Sequence, residues 1–182
     1  MSLAIPDADE LPSIVYGENL RRHCEVAALV LAHLDNTSQS RHYVREAIRQ
    51  ASHQVSEVRG GTNRLKAKWM SAEARVQMES GDASRLVAEH TVPVSVILDR
   101  VMKGWQADPT VDFIERLVRR YSMQAVITQR EDALLKEKNL LLRMPADWDG
   151  ADLHARYRLV GIELEPNRYA QLAKWTRRAE AG

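Results

Sequence analysis

Apolar residues recur at helical spacing through the opening part of the chain. Between residues 17 and 34, Leu20, Cys24, Ala27, Ala28, Leu31 and Leu34 trace one face of an α-helix. The polar run Asp35-Asn36-Thr37-Ser38 interrupts the pattern as a loop, and Ser40 is placed to cap a second helix. The stripe of that helix is Val44, Ala47, Ile48, Ala51, Val55 and Val58, and Gly60-Gly61 supplies a left-handed stop. A third helix is predicted from Thr62 or Asn63, with Leu65, Trp69, Val76 and Met78 along it and a break near Ser71. Glu79-Ser80-Gly81-Asp82 closes this helical part.

The pattern changes after Ser84. From Arg85 to Val94 β-branched residues are frequent and Pro93 cannot continue a helix, which predicts a short strand over 87–92. Ser95 then caps a helix over 96–103 that Gly104 ends. Asp108-Pro109 sets an N-cap before a proline at the first helical position, and the helix carries Phe113, Ile114, Leu117 and Val118 to about Tyr121. A second strand over 124–128 runs directly into Thr128-Gln129-Arg130-Glu131. That is a capping box: the threonine hydroxyl accepts from the N–H three residues on, and the glutamate reaches back. A helix therefore begins at Gln129 and carries Leu134 and Leu135. Residues 144–150 form a loop, Asp149 or Gly150 opens a helix ending near Gly161, and Pro166 starts a last one with Tyr169, Leu172 and Trp175 on one face. The expected fold class is mostly α. Residues 1–82 form a helical half serving substrate binding or dimerisation, and 83–182 hold a small two-stranded β element among helices.

Composition narrows the function classes. The 182 residues suit one medium domain or two small ones, and 45% hydrophobic with 28% charged residues is ordinary for a globular protein. The only cysteine, Cys24, excludes an internal disulfide framework and a multi-cysteine zinc site, and its place on an apolar stripe reads as packing. The N-terminus MSLAIPDADELP is acidic, and no stretch approaches the ~20 apolar residues of a membrane span. A cytoplasmic protein without a membrane partner is expected. A net charge of +1 demands no nucleic-acid partner. Local clusters such as Arg64/Lys66/Lys68, Arg116/Arg119/Arg120 and Arg177/Arg178 can still meet phosphates, although solvated helix faces explain them more simply. His23, His33, His42 and His53 lack the i, i+4 spacing of a helical zinc site and read as surface or helix-end residues. Asp147 and Asp149 read as turn and cap residues, and Trp148 as a pin for its loop.

The stretch that carries chemistry is Val87-Ala88-Glu89-His90-Thr91-Val92-Pro93-Val94-Ser95. Joined to the strand over 124–128 and the capped helix after it, this stretch resembles the HNH, or ββα-metal, nuclease family over residues 86–140. In that family the first strand often reads acidic-His-apolar-apolar-Pro, and the second runs into a helix whose first turn offers a metal ligand. The resemblance implies His90 as general base. It implies Glu89, with Glu131 or Asp132, as carboxylate ligands of Mg²⁺ or a similar divalent cation, and DNA as a partner. Arg130, or Arg116, Arg119 and Arg120, would hold neighbouring phosphates. The sequence departs from the family in three ways. The usual central asparagine is missing, and Asn139 lies roughly 10 Å beyond Asp132 along a helix. A helical insertion separates the two strands. Adjacent strand residues point to opposite faces, so Glu89 and His90 share a site only where the strand ends or bends, as Pro93 allows. A reading from another class stays open beside this one. It is a non-enzymatic, mainly helical interaction module without a cofactor, in which Glu89-His90 is structural and the N-terminal helices bind a partner protein or form a homodimer.

Overall fold

The structure is a computed structural model that describes residues 17–35, 37–55 and 67–169. In chain order its elements are α1 (Gly17–His33), α2 (Ser38–Gln54), β1 (Trp69–Ser71), α3 (Ala72–Glu79), β2 (Leu86–His90), α4 (Val94–Gly104), α5 (Val111–Tyr121), β3 (Gln124–Thr128), α6 (Gln129–Glu137), α7 (Ala155–Leu159) and β4 (Leu164–Pro166). They fall into two compact units, Met1–Val55 with Val92–Ser122, and Ser56–Thr91 with Met123–Gly182. This division differs from a boundary at 82/83, because the helices of 92–122 belong with the N-terminal ones. Among the described residues no helix is long and apolar enough to cross a membrane.

The first unit is helical: α1, α2, α4 and α5. Leu20, Cys24, Ala27 and Ala28 of α1 are buried, as are Val44, Ala47, Ile48 and Ala51 of α2, as the stripes predict. Burial pushes the Cys24 thiol up to about 12, so it packs as a small apolar group. Leu34 departs from its predicted place in the stripe. It lies just past the end of α1 and is 50% exposed. The predicted caps also shift. Thr37, not Ser40, is the N-cap of α2, and Ser40 completes the box by accepting from the Thr37 N–H at 2.9 Å. Pro93 rather than Ser95 stands at the start of α4, where its carbonyl accepts from the N–H groups of Val96 and Ile97. Thr110 rather than Asp108 caps α5, accepting from the Phe113 N–H at 3.1 Å. Gly104 is the last residue of α4, where the helix was expected to end, and a Cβ there would sit 2.3 Å from Phe113 Cζ, so that ring would have to move. The predicted Gly60-Gly61 stop, Val58 and the start at Thr62 or Asn63 lie outside the described residues.

The second unit is built on a four-stranded mixed sheet in the order β2-β3-β1-β4. β2 and β3 are the predicted strands and pair antiparallel. β1 lies parallel to β3, and β4 is antiparallel to β1. β1 lies where helix was predicted, and β4 lies in the gap between the helix expected to end near Gly161 and the one expected from Pro166. Trp69–Ser71 is too short to show a period, and the predicted break near Ser71 is the N-cap of α3, with the Ser71 hydroxyl accepting from the Ala74 N–H at 3.0 Å. Pro166 ends edge strand β4, where a missing donor is tolerated, and the helix expected there begins two residues later, at Arg168. β3 is covered on both faces. Ala125 and Ile127 pack with Leu135, Leu140, Tyr157 and Ile162, and Val126 with Ala67, Met70, Ala74 and Leu86. The helix predicted from Asp149 or Gly150 is shorter, starting at Ala155. Leu172 and Trp175 lie outside the described residues.

Candidate functional site

β2 ends at His90, and there the hairpin is closed by its backbone. Cross-strand pairs run from Leu86 opposite Thr128 to His90 opposite Gln124. The Thr91 N–H then donates to the Met123 carbonyl at 2.8 Å, and the Thr91 hydroxyl donates to the same oxygen at 3.2 Å. The helical insertion between the strands therefore leaves and returns at two bonded residues. β3 passes without a loop into α6, and the predicted capping box of Thr128 and Glu131 is formed.

The sequence-predicted residues fare differently. The Glu89 carboxylate accepts from Arg156 Nη2 at 2.9 Å. Burial is the main cause that raises its pKa. The Arg156 charge opposes that rise, and Asp132 in the first turn of α6 adds to it. Glu89 and Asp132 are thus brought within electrostatic reach. His90 is half-buried, and its Nε2 stands 3.5 Å from the side-chain amide nitrogen of Gln124, the outer limit of hydrogen bonding. Glu131 is buried and engaged: its Oε2 accepts from the Ser71 hydroxyl at 2.6 Å and from the Thr128 N–H at 2.8 Å. Among the described residues no three His, Cys, Asp or Glu side chains gather as a metal cage.

The predicted phosphate contacts have protein partners. Arg116 pairs with Asp108 at 2.7 Å, and Arg119 Nε donates to Glu115 at 2.9 Å. The Arg120 guanidinium lies 5.3 Å from the centre of the Tyr121 ring. Arg130 Nε donates to Glu73 at 3.0 Å, and that bond holds the Glu73 carboxyl below its ordinary range. Arg130 is 66% exposed in this pair, and so open an ion pair exchanges partners at little cost.

Two residues without a sequence signal complete the corner. Arg156 is fully buried and spans the end of β2. Its Nε donates to the Thr91 carbonyl at 3.0 Å and its Nη1 to the Leu140 carbonyl at 2.9 Å. Its Nη2 donates to Glu89, to the His90 carbonyl and to the Tyr157 hydroxyl. Tyr157, also buried, donates its hydroxyl to the His90 carbonyl at 3.4 Å, and burial raises its pKa. Nothing in Ala155-Arg156-Tyr157 announces this, because every partner except Tyr157 lies far away in sequence.

His154, next along the chain, packs edge-on against Trp69 with ring centroids 4.7 Å apart, and burial lowers its pKa. A histidine with a lowered folded pKa stabilises the protein above its unfolded pKa, and that contribution is lost as pH falls through the folded value. Urea unfolding at pH about 7.5 and about 5, either side of the ordinary histidine range, should show it. Wild type is expected to lose more stability on acidification than His154→Gln, and parallel losses would refute the assignment. Comparison with protein-family models, curated proteins and solved structures finds no match to the chain.

Proposed function

We propose that the protein is a metal-dependent nuclease of the ββα-metal type, with His90 as its general base. One observation carries the reading. β2 pairs antiparallel with β3, β3 runs directly into the capped helix α6, and Glu89 at the end of β2 thereby comes within electrostatic reach of Asp132 in the first turn of α6. A magnesium-like ion is commonly held by one or two carboxylates together with waters and substrate phosphate oxygens. Glu89 and Asp132 are a donor set of that kind, and a cation would relieve their mutual repulsion. Glu131 is left out of the ligand set because it is buried within the capping box and against the Ser71 hydroxyl. When bound, the ion supplies Lewis-acid stabilisation of the charge that develops on the phosphate.

The chain's own residues do the rest. His90 accepts a proton from the attacking water. Arg130, exposed at the start of α6, exchanges Glu73 for a phosphate oxygen of the substrate. The test is cleavage of plasmid and single-stranded DNA with Mg²⁺ or Mn²⁺, against an EDTA control, beside gel shifts at rising salt. Cleavage that needs the metal, with binding that weakens as salt rises, is the expected result. Absence of cleavage under all these conditions would refute the reading.

A second reading has its own observation. In the helical unit Val26, Leu29 and Leu34 are exposed apolar residues of α1 and its end. Leu34 also lines a cavity of about 250 Å³, with Val30, Leu31, Val44, Met102 and Trp105. A non-enzymatic interaction module would use that surface, and it is the reading left standing if the protein neither cuts nor binds nucleic acid.

A further inference from the structure

We infer that Arg156 is a positioning residue for the corner at the end of β2, fixing both the Glu89 carboxylate and the main chain that carries His90. The inference deepens the nuclease reading and rests on it for its kinetic consequences. One buried guanidinium reaches three consecutive residues: the side chain of Glu89 and the carbonyls of His90 and Thr91. A fourth bond, to the Leu140 carbonyl, anchors it to the segment after α6. Tyr157 donates to the His90 carbonyl from the next position, so two neighbouring residues fix one peptide.

A buried ion pair by itself is weak evidence of function, since an apolar pair often serves stability as well. What an apolar pair cannot do is hold three adjacent groups in fixed directions. Arginine's planar fork can, and lysine's point charge cannot. Glu89 and His90 are successive ladder residues whose side chains leave opposite faces of the strand, and Arg156 reaches them through different groups, the Glu89 carboxylate and the His90 carbonyl. Arg156 Nη2 donates to the Oε1 of Glu89 and so fixes the carboxylate through one of its oxygens. A carboxylate held through one oxygen is the usual arrangement around a bound metal, where the outer hydrogen bond orients the ligand.

The test separates charge from position. Arg156→Lys keeps a cation beside Glu89 but loses the fork. The variant is first shown to be folded by circular dichroism. Its Mn²⁺ affinity, read by electron paramagnetic resonance, is expected to fall by roughly 10–100-fold. Its kcat on plasmid DNA should fall by roughly 100-fold, with KM changed by less than about twofold, as for an interaction that matters after binding. The His90 ring resonances, assigned by their loss in His90→Ala, should move. If Arg156→Lys does not fold, Tyr157→Phe replaces it. It removes one hydroxyl, and losses of about two- to tenfold in the same quantities are expected. A folded variant with wild-type kcat and Mn²⁺ affinity would overturn the inference. If wild type neither binds Mn²⁺ nor cuts DNA, the nuclease reading falls and the His90 resonances decide the clamp alone. Their movement in either variant supports it, and unmoved resonances overturn it.

Discussion

Arg156→Met is expected to lower the unfolding free energy by about 3–5 kcal/mol, the usual cost of removing one partner from a buried ion pair. Arg156 is wholly buried and the Glu89 side chain is 25% exposed, so water cannot fully replace the guanidinium. Two consequences follow the truncation. Glu89 is left without its guanidinium partner in a mostly buried place, with Asp132 adding to the strain on its charge. The carbonyls of Thr91 and Leu140 lose the Arg156 donor, each at the cost of an unsatisfied buried acceptor, while the His90 carbonyl keeps the Tyr157 hydroxyl. Adding Glu89→Gln separates these two effects. The double variant removes the stranded charge but leaves the carbonyls unpaired, so it should recover part of the loss. Urea denaturation of wild type, both single variants and the double variant gives the coupling energy directly. A loss below about 1 kcal/mol for Arg156→Met would contradict the buried-clamp account. A double variant no more stable than Arg156→Met would assign the loss to the carbonyls alone.

That clamp also marks where the sequence stopped being readable. α1 and α2 were legible because their cores are stripes of local period, Leu20 to Ala28 and Val44 to Ala51. The start of α6 was legible because Thr128 and Glu131 carry their capping chemistry within three residues. The caps of α2, α4 and α5 shifted by two or three residues. At α2 and α5 several capable side chains lie close together, and local rules do not choose among Thr37, Ser38 and Ser40, or between Asp108 and Thr110. β1 and β4 were missed for a different reason. Both are three residues long, too short to show alternation, and they become strands by pairing with one another, and β1 also with β3. The interleaving of the two units is likewise a matter of long-range contact, which no window along the sequence contains.

At the candidate site the same division holds. Glu89, His90 and Asp132 could be nominated because an acidic-His-Pro strand end and a capped helix are local signals. Arg156 could not, because it meets Glu89 across 67 positions. Arginine is almost never fully buried unless paired, and its burial here is a tertiary fact. Three of the predicted phosphate contacts have carboxylate partners that the sequence did not announce. Arg116, Arg119 and Arg130 read as a basic surface in sequence, and each has a carboxylate beside it in the fold. Local charge counts miss partners brought in from elsewhere, as Glu73 is brought to Arg130.

His90→Ala is expected to reduce metal-dependent cleavage by about 10²–10⁴-fold, the range for losing a positioned general base. Binding should survive. His90 sits at a strand end beside Gln124, and its removal leaves the Arg156 bonds to the main chain in place, because those use the His90 carbonyl and not its ring. Gel-shift affinity and its salt slope should therefore match wild type. The pH–rate profile adds a readout that a folding defect would not imitate. A general base that must be deprotonated gives an acid limb, and that limb should vanish with the imidazole while the residual rate persists. Asp132→Asn should behave differently, weakening Mn²⁺ binding while keeping the acid limb, since it removes ligand charge and leaves the base. If His90→Ala cuts as fast as wild type, His90 is not the base. If it cuts slowly but keeps the acid limb, the titrating group lies elsewhere and His90 acts through position.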